Sequence, residues 1–147
     1  MDRADQERAI FGKCSDPSRI AGLWERILHL ASSARHHGEK EFDELLLRYL
    51  YPLPNPEQAL LRLDRFLEAS LSPAAIVRDF LDSPRYLETY FRLVSTSGYI
   101  ADSFAIDPRL FRFLVVSGVL YERRDREEYL KQAREAMSSF KTTEKQV

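Results

Sequence analysis

Apolar residues recur along this chain at intervals of three and four, and almost nowhere at intervals of two. From Pro17 the apolar positions are Ile20, Leu23, Trp24, Ile27, Leu28 and Ala31. From Gly38 they are Phe42, Leu45, Leu46, Tyr49 and Leu50. From Pro56 they are Ala59, Leu60, Leu63, Phe66 and Leu67. Shorter stripes follow: Ile76, Val77, Phe80 and Leu81; Leu87, Tyr90, Phe91 and Val94; Leu110, Phe111, Leu114 and Val115; and near the end Leu130, Ala133, Met137 and Phe140. Spacings of i, i+3, i+4 and i+7 place these side chains on one face of a helix. The pattern predicts an all-α protein, a bundle or stack of seven to nine short amphipathic helices.

The punctuation between stripes agrees. Five of the seven prolines follow a small polar residue: Asp16-Pro17, Asn55-Pro56, Ser72-Pro73, Ser83-Pro84 and Asp107-Pro108. The first N–H groups of a helix have no partner within it, and an Asp, Asn or Ser side chain accepts from one of them. Proline suits the next position because its missing N–H is no loss there and its φ is preset. Each pair predicts a capping side chain followed by the first helical residue. Gly38 and Gly118 stand where a helix ends and a left-handed cap is cheap for glycine. "YPLPNP", Tyr51 to Pro56, cannot be helical because each proline keeps its predecessor out of the α region. It divides the chain into an N-terminal helical pair or trio over 1–50, a proline-rich hinge over 51–56, a helical domain over 57–140 and a frayed tail over 141–147. The sequence also echoes itself at a spacing of 24. "FLDSPRYLETYFRLVS" from Phe80 aligns with "FAIDPRLFRFLVVSG" from Phe104, which suggests either two stacked helical hairpins or one capping solution used twice.

Composition narrows the function classes. The chain has 147 residues, 44% hydrophobic and 31% charged, with a net charge of −1. Lys and Arg are spread along it, whereas a nucleic-acid surface needs a one-sided basic excess. No apolar run approaches the roughly 20 residues that span a bilayer. "MDRADQERAI" has no apolar core and is not a signal peptide. Cys14 is the single cysteine, so no internal disulfide forms and a cytoplasmic location is the expectation.

Candidate chemistry is thin. His29 and His36 are seven apart and would share a helix face with His37 beside them, but a metal needs three or four converging ligands. Cys14 has no activating partner in the sequence. "ERRDREE", Glu122 to Glu128, reads as a solvated face with i, i+4 pairs, and Asp125 with Glu127 is the nearest approach to a spaced acidic pair. With five glycines, no Gly-x-Gly-x-x-Gly and no Gly-x-x-x-x-Gly-Lys, there is no phosphate loop. No catalytic, cofactor-binding or metal residue is assigned.

One stretch says more. "SGYIADSFAIDPRLFRFL" resembles a pattern of the glutamine synthetase adenylyltransferase family: Ser97, Tyr99, Ile100, then Pro108, Leu110 and Phe111. Upstream, "ALLRLDRFLEAS" is similar to an early helix of that family, with Leu63, Arg65, Phe66 and Leu67 at matching places. "LDSPRYLETYFRLVSTS" and "DREEYLKQAREAM" are similar to the helices around the motif, so the resemblance covers roughly 56–137. It implies a helical region ahead of a nucleotidyltransferase domain, in the control of nitrogen assimilation by adding AMP to glutamine synthetase and removing it. The family's catalytic Gly-Ser and Asp-x-Asp, which hold Mg²⁺ for transfer from ATP, do not occur here. The partners it implies are the catalytic domain itself, glutamine synthetase, or a PII-type regulator. The alternative is an independent α-helical protein-interaction module without enzymatic activity.

Overall fold

The computed structural model describes residues 2–116, 130–131, 133–135 and 137–138. Eight α-helices follow in order: α1 (Arg3–Gly12), α2 (Pro17–Ala34), α3 (Gly38–Leu50), α4 (Pro56–Ala69), α5 (Pro73–Asp82), α6 (Pro84–Thr96), α7 (Gly98–Ile106) and α8 (Arg109–Phe111). The last runs on as a π-helical turn, Arg112–Val116. The described residues of 130–138 are helical too, and Ala133 and Met137 among them are buried. No strand occurs among the described residues, and the all-α reading holds. None of their helices is long and apolar enough to cross a membrane. The calls on Gly118, Glu122–Glu128, Phe140 and the tail lie outside the described residues.

Helix α2 lies against α3, α4 and α5. Helix α7 packs across α4 and α6, and α3 reaches α6. The helices on either side of the 51–56 segment therefore share one hydrophobic core. The segment is non-helical from Tyr51 to Asn55. Lys13 Nζ donates to the Tyr51 and Leu53 carbonyls at 3.4 and 3.2 Å. At its far end Glu57 accepts from Ser15 Oγ at 2.7 Å and the Asp16 N–H at 3.1 Å, which together hold its carboxyl below the usual range. These contacts brace the end of α1 against the start of α4.

The centre of the core is aromatic. Phe66 of α4, Phe80 of α5, Tyr90 of α6, Phe104 of α7 and Phe111 of α8 are all buried. Phe66 lies 5.1 Å from Tyr90 and 5.5 Å from Phe111 between ring centroids, and Phe80, Tyr90 and Phe104 each stand 5.6–5.7 Å from Phe111 at steep angles. Edge-to-face pairs at such distances add to the gain from area alone. Burial pushes the Tyr90 phenol far up, so it stays neutral.

Four prolines open helices as expected: Pro17, Pro56, Pro73 and Pro84. The fifth, Pro108, instead takes the capping position of α8, and the Asp107 carboxylate accepts from the Arg109 N–H. The predicted side-chain caps form at Asp16 and Asn55, which accept from the N–H three residues on at 3.2 and 3.1 Å. They do not form at Ser72 and Ser83. There the same N–H, of Ala75 or Tyr86, already donates to the cap residue's own carbonyl at 3.1 or 2.9 Å, so the hydroxyl has nothing to accept.

Gly38 is also not the left-handed cap. That conformation falls to His37, at φ 60°, and Gly38 opens α3. Glycine is required at 38 for another reason: a Cβ there would stand 2.3 Å from the Ala31 carbonyl oxygen of α2. The α2–α3 corner closes only because that atom is missing.

Two stability outcomes follow. Phe66→Ala is expected to cost about 3–5 kcal/mol in urea unfolding, whereas Ile106→Ala, at an exposed site, stays within about 0.5 kcal/mol. Gly38→Ala is expected to cost about 1–3 kcal/mol, because the backbone of α2 or α3 must shift to admit one methyl group.

Candidate functional site

The residues weighed for chemistry are scattered. His29 is exposed on α2. Because α2 ends at Ala34, His36 is not on the helix face of His29; it lies against His37 in the corner, ring centroids 3.8 Å apart and tilted by 55°. Among the described residues no three His, Cys, Asp or Glu side chains converge as metal ligands would. Cys14 is half-buried, its thiol donating to the Ile10 carbonyl at 3.4 Å. Burial, with the Glu57 carboxylate nearby, pushes that thiol up, away from the thiolate a nucleophile needs.

One buried polar group gave no sign of itself in the sequence. Asp43 sits on the inner side of α3, 4% exposed. Trp24 Nε1 donates to its Oδ1 at 2.8 Å, and Arg3 Nη1 forms an ion pair with Oδ2. The pair ties α1 and α2 to α3 and is structural. A polar recess of about 580 Å³ opens beside it, between the His36–His37 corner, Arg3 and Arg35. Arg35 is spoken for: it donates to Glu41 Oε2 at 3.0 Å and to Asp82 at 2.7 Å.

A second, wider groove of about 790 Å³ runs between α2, α4 and α7 and carries Arg19, Arg26, Arg62 and Arg65. Acids are interleaved there. Arg26 meets Asp64 at 2.5 Å, Arg65 meets Asp102 at 3.5 Å, and Arg62 donates to the Val94 carbonyl at the end of α6. That last bond satisfies one of the carbonyls a helix end leaves open.

The third concavity differs in kind. It lies between the α4–α5 corner and the turn from α7 into α8, with a volume of about 350 Å³. Phe66 and Phe111, members of the aromatic core, form its floor. Ala75, Ile76 and Pro108 line its sides and Leu71 its lip. Leu71 is fully exposed in the corner between Ser70 and Ser72. Four charged residues line the groove as well: Asp79, Asp107, Arg109 and Arg112. Asp107 and Arg109 form a two-pronged pair, 2.9 Å at each prong, which with the Arg109 N–H holds the Asp107 carboxyl below its ordinary value. An apolar pocket with few polar groups is the usual form of a binding site.

The stretch that carries the family resemblance forms the neighbouring wall. Ser97 Oγ accepts from the Ile100 N–H at 3.3 Å and caps α7. Ile100, Phe104, Leu110 and Phe111 are buried. On the outer face of the same helix, seven residues apart, Tyr99 is 53% and Ile106 83% exposed. The arrangement is one of a scaffold that offers apolar surface, and the described residues bring together no nucleophile with a base. No family model, curated protein or solved structure matches the chain.

Asp107 makes the start of α8 sensitive to pH. Its folded carboxyl titrates below the unfolded value of about 3.9, so its contribution is complete above that pH and is lost as pH falls through the lower, folded value. Asp107→Asn is therefore expected to lower the unfolding free energy by about 1 kcal/mol at neutral pH and by progressively less under acid. Urea melts across that range read the difference.

Proposed function

We propose that this chain is a non-catalytic helical region of a glutamine synthetase adenylyltransferase-like protein, working in the cytoplasm in the control of nitrogen assimilation. Its work is to pack on a nucleotidyltransferase domain, or to dock glutamine synthetase or a PII-type regulator. One observation carries the reading. Two of the four segments with the resemblance, Ala59–Ser70 and Ser97–Leu114, are far apart in sequence but pack against each other through α4 and α7, with Phe66 against Phe111 of α8. Their matching apolar residues, Leu63, Phe66, Leu67, Ile100, Leu110 and Phe111, are all buried. Their packing together supports reading them as one unit. The same unit leaves Tyr99 and Ile106 facing solvent, where apolar side chains serve a neighbour better than they serve the chain itself.

The Gly-Ser and Asp-x-Asp that such enzymes use are not in this sequence, so nucleotide chemistry belongs to the partner in this reading. Isothermal titration of the purified chain tests it. Saturable binding is expected to a nucleotidyltransferase domain of this family, to glutamine synthetase or to a PII-type regulator, weakened about tenfold or more by Ile106→Asp. Binding to none of the three would leave the independent interaction module in its place. Tight binding of ATP with Mg²⁺ by the chain alone would overturn the non-catalytic assignment.

A further inference from the structure

Helix α1 is held differently from the helices that follow it. It buries Ile10 alone, with Phe11 half-buried against Trp24 at 5.8 Å between ring centroids. Helix α2 buries five residues and α4 six. An apolar stripe is what ordinarily fixes a helix to a core, and α1 has none. Among the described residues two polar side-chain ties join α1 and its cap to α3 and the segment after it, one at each end. Arg3 Nη1 pairs with Oδ2 of the buried Asp43, and Lys13 reaches the Tyr51 and Leu53 carbonyls. The pairs of Arg3 with Glu7 and of Asp5 with Arg8 stay within α1.

The two ends differ in kind. Lys13 lies beside the turn into α2, which Ser15 and Asp16 fasten to Glu57. Arg3 stands at the opposite end with its side chain 59% exposed. Taking one partner from a buried ion pair ordinarily strands the other charge away from water, at high cost. Here the polar recess of about 580 Å³ is lined by Arg3 and Asp43 together. Water therefore has a path to the carboxylate when the guanidinium leaves, and the pair can part. Beneath α1 lies the single tryptophan. Trp24 is buried, Phe11 packs against it, and its Nε1 donates to Asp43 Oδ1 at 2.8 Å. One carboxylate thus holds both the helix and the indole that the helix covers.

We infer that α1 is a lid, hinged at residues 13–16 and latched by Arg3 on Asp43. It swings away from α2 and α3 while the other helices stay folded. Its opening uncovers Trp24 and the seat of Ile10, an apolar surface beside a carboxylate. The lid involves neither Tyr99 nor Ile106, so it goes beyond the proposed function and does not rest on it.

Hydrogen exchange of the whole chain, followed by NMR in urea below the unfolding transition, is the test. A local opening exposes little surface and depends weakly on urea, whereas global unfolding depends on it steeply. The amides of residues 7–12 and the Trp24 indole N–H are expected to exchange together with the weak dependence, and the amides of α4 and α7 with the steep one. Fraying of α1 in place would release its amides but not the indole. Arg3→Ala should speed the lid group about tenfold and Arg3→Lys less. Asp43→Asn keeps an acceptor for Trp24 and should act like Arg3→Ala, and the two changes together should be no faster than either alone. Raising NaCl from roughly 0.05 to 1 M should speed the group in the wild type and not in Arg3→Ala, because salt screens the pair. Residues 7–12 or the indole N–H exchanging with the steep group overturns the lid. Additive effects of Arg3→Ala and Asp43→Asn, or an equal response of wild type and Arg3→Ala to salt, overturn the latch.

Discussion

Five rings, one from each of α4 to α8, meet at the centre of this molecule, and the other helices are arranged around that meeting. Phe66, Phe80, Tyr90, Phe104 and Phe111 come from positions spread over 46 residues of chain, so their contact is possible only if the corners between these helices are short and correctly angled. The aromatic contact and the corners constrain each other. A ring displaced by one residue along its helix turns by about 100° and leaves the cluster. A corner one residue longer has the same effect.

The corners meet this demand by repetition. Ser83 and Asp107 have nearly the same backbone angles, φ −137°, ψ 83° and φ −138°, ψ 91°. In each corner the N–H of that residue closes the preceding helix onto the carbonyl four residues back, at 2.9 and 3.0 Å. In each the N–H three residues ahead returns to its carbonyl, at 2.9 and 3.0 Å. The buried Phe80 and Phe104 stand three residues before the two corners, and both reach Phe111. The echo at a spacing of 24 is therefore a repeated way of turning a helix toward a shared centre. Proline contributes by fixing φ where the second helix begins. The capping side chain differs: Asp107 has a donor to accept from and Ser83 has none.

That difference marks what was legible in the sequence. The helices α2 to α6 and α8 were, because burial on one face imposes a period and proline marks most of the starts. Leu63, Phe66 and Phe80 can be placed in the core from spacing alone. Helix α1 was not, since "RADQERAIFG" buries only Ile10 and has no stripe to read. It holds through the Asp2 cap and through Arg3 reaching Asp43. Asp43 was illegible for the same reason: an acid beside an apolar stripe reads as solvated unless the Trp24 N–H that it meets, nineteen residues away, is known. The exchange of roles between His37 and Gly38 was hidden because it depends on the distance from α3 to the Ala31 carbonyl, a property of packing and not of pattern. The groove escaped the sequence reading too, because its lining comes from two corners 35 residues apart.

Leu71 is where these threads separate structure from use. The corner that holds it is already satisfied without it. The Ser72 N–H donates to Ser70 Oγ, the Ser70 N–H closes α4 onto Leu67, and Pro73 begins α5. None of these bonds involves the leucine side chain, and a polar residue there would cost the fold nothing while sparing water an apolar surface. A single exposed leucine is ordinary. This one stands at the lip of an apolar hollow whose floor is the aromatic core, beside the ion pair of Arg112 with Asp79. Stability accounts for the rings beneath it, while the residues above owe nothing to the core and are free to vary without cost to it.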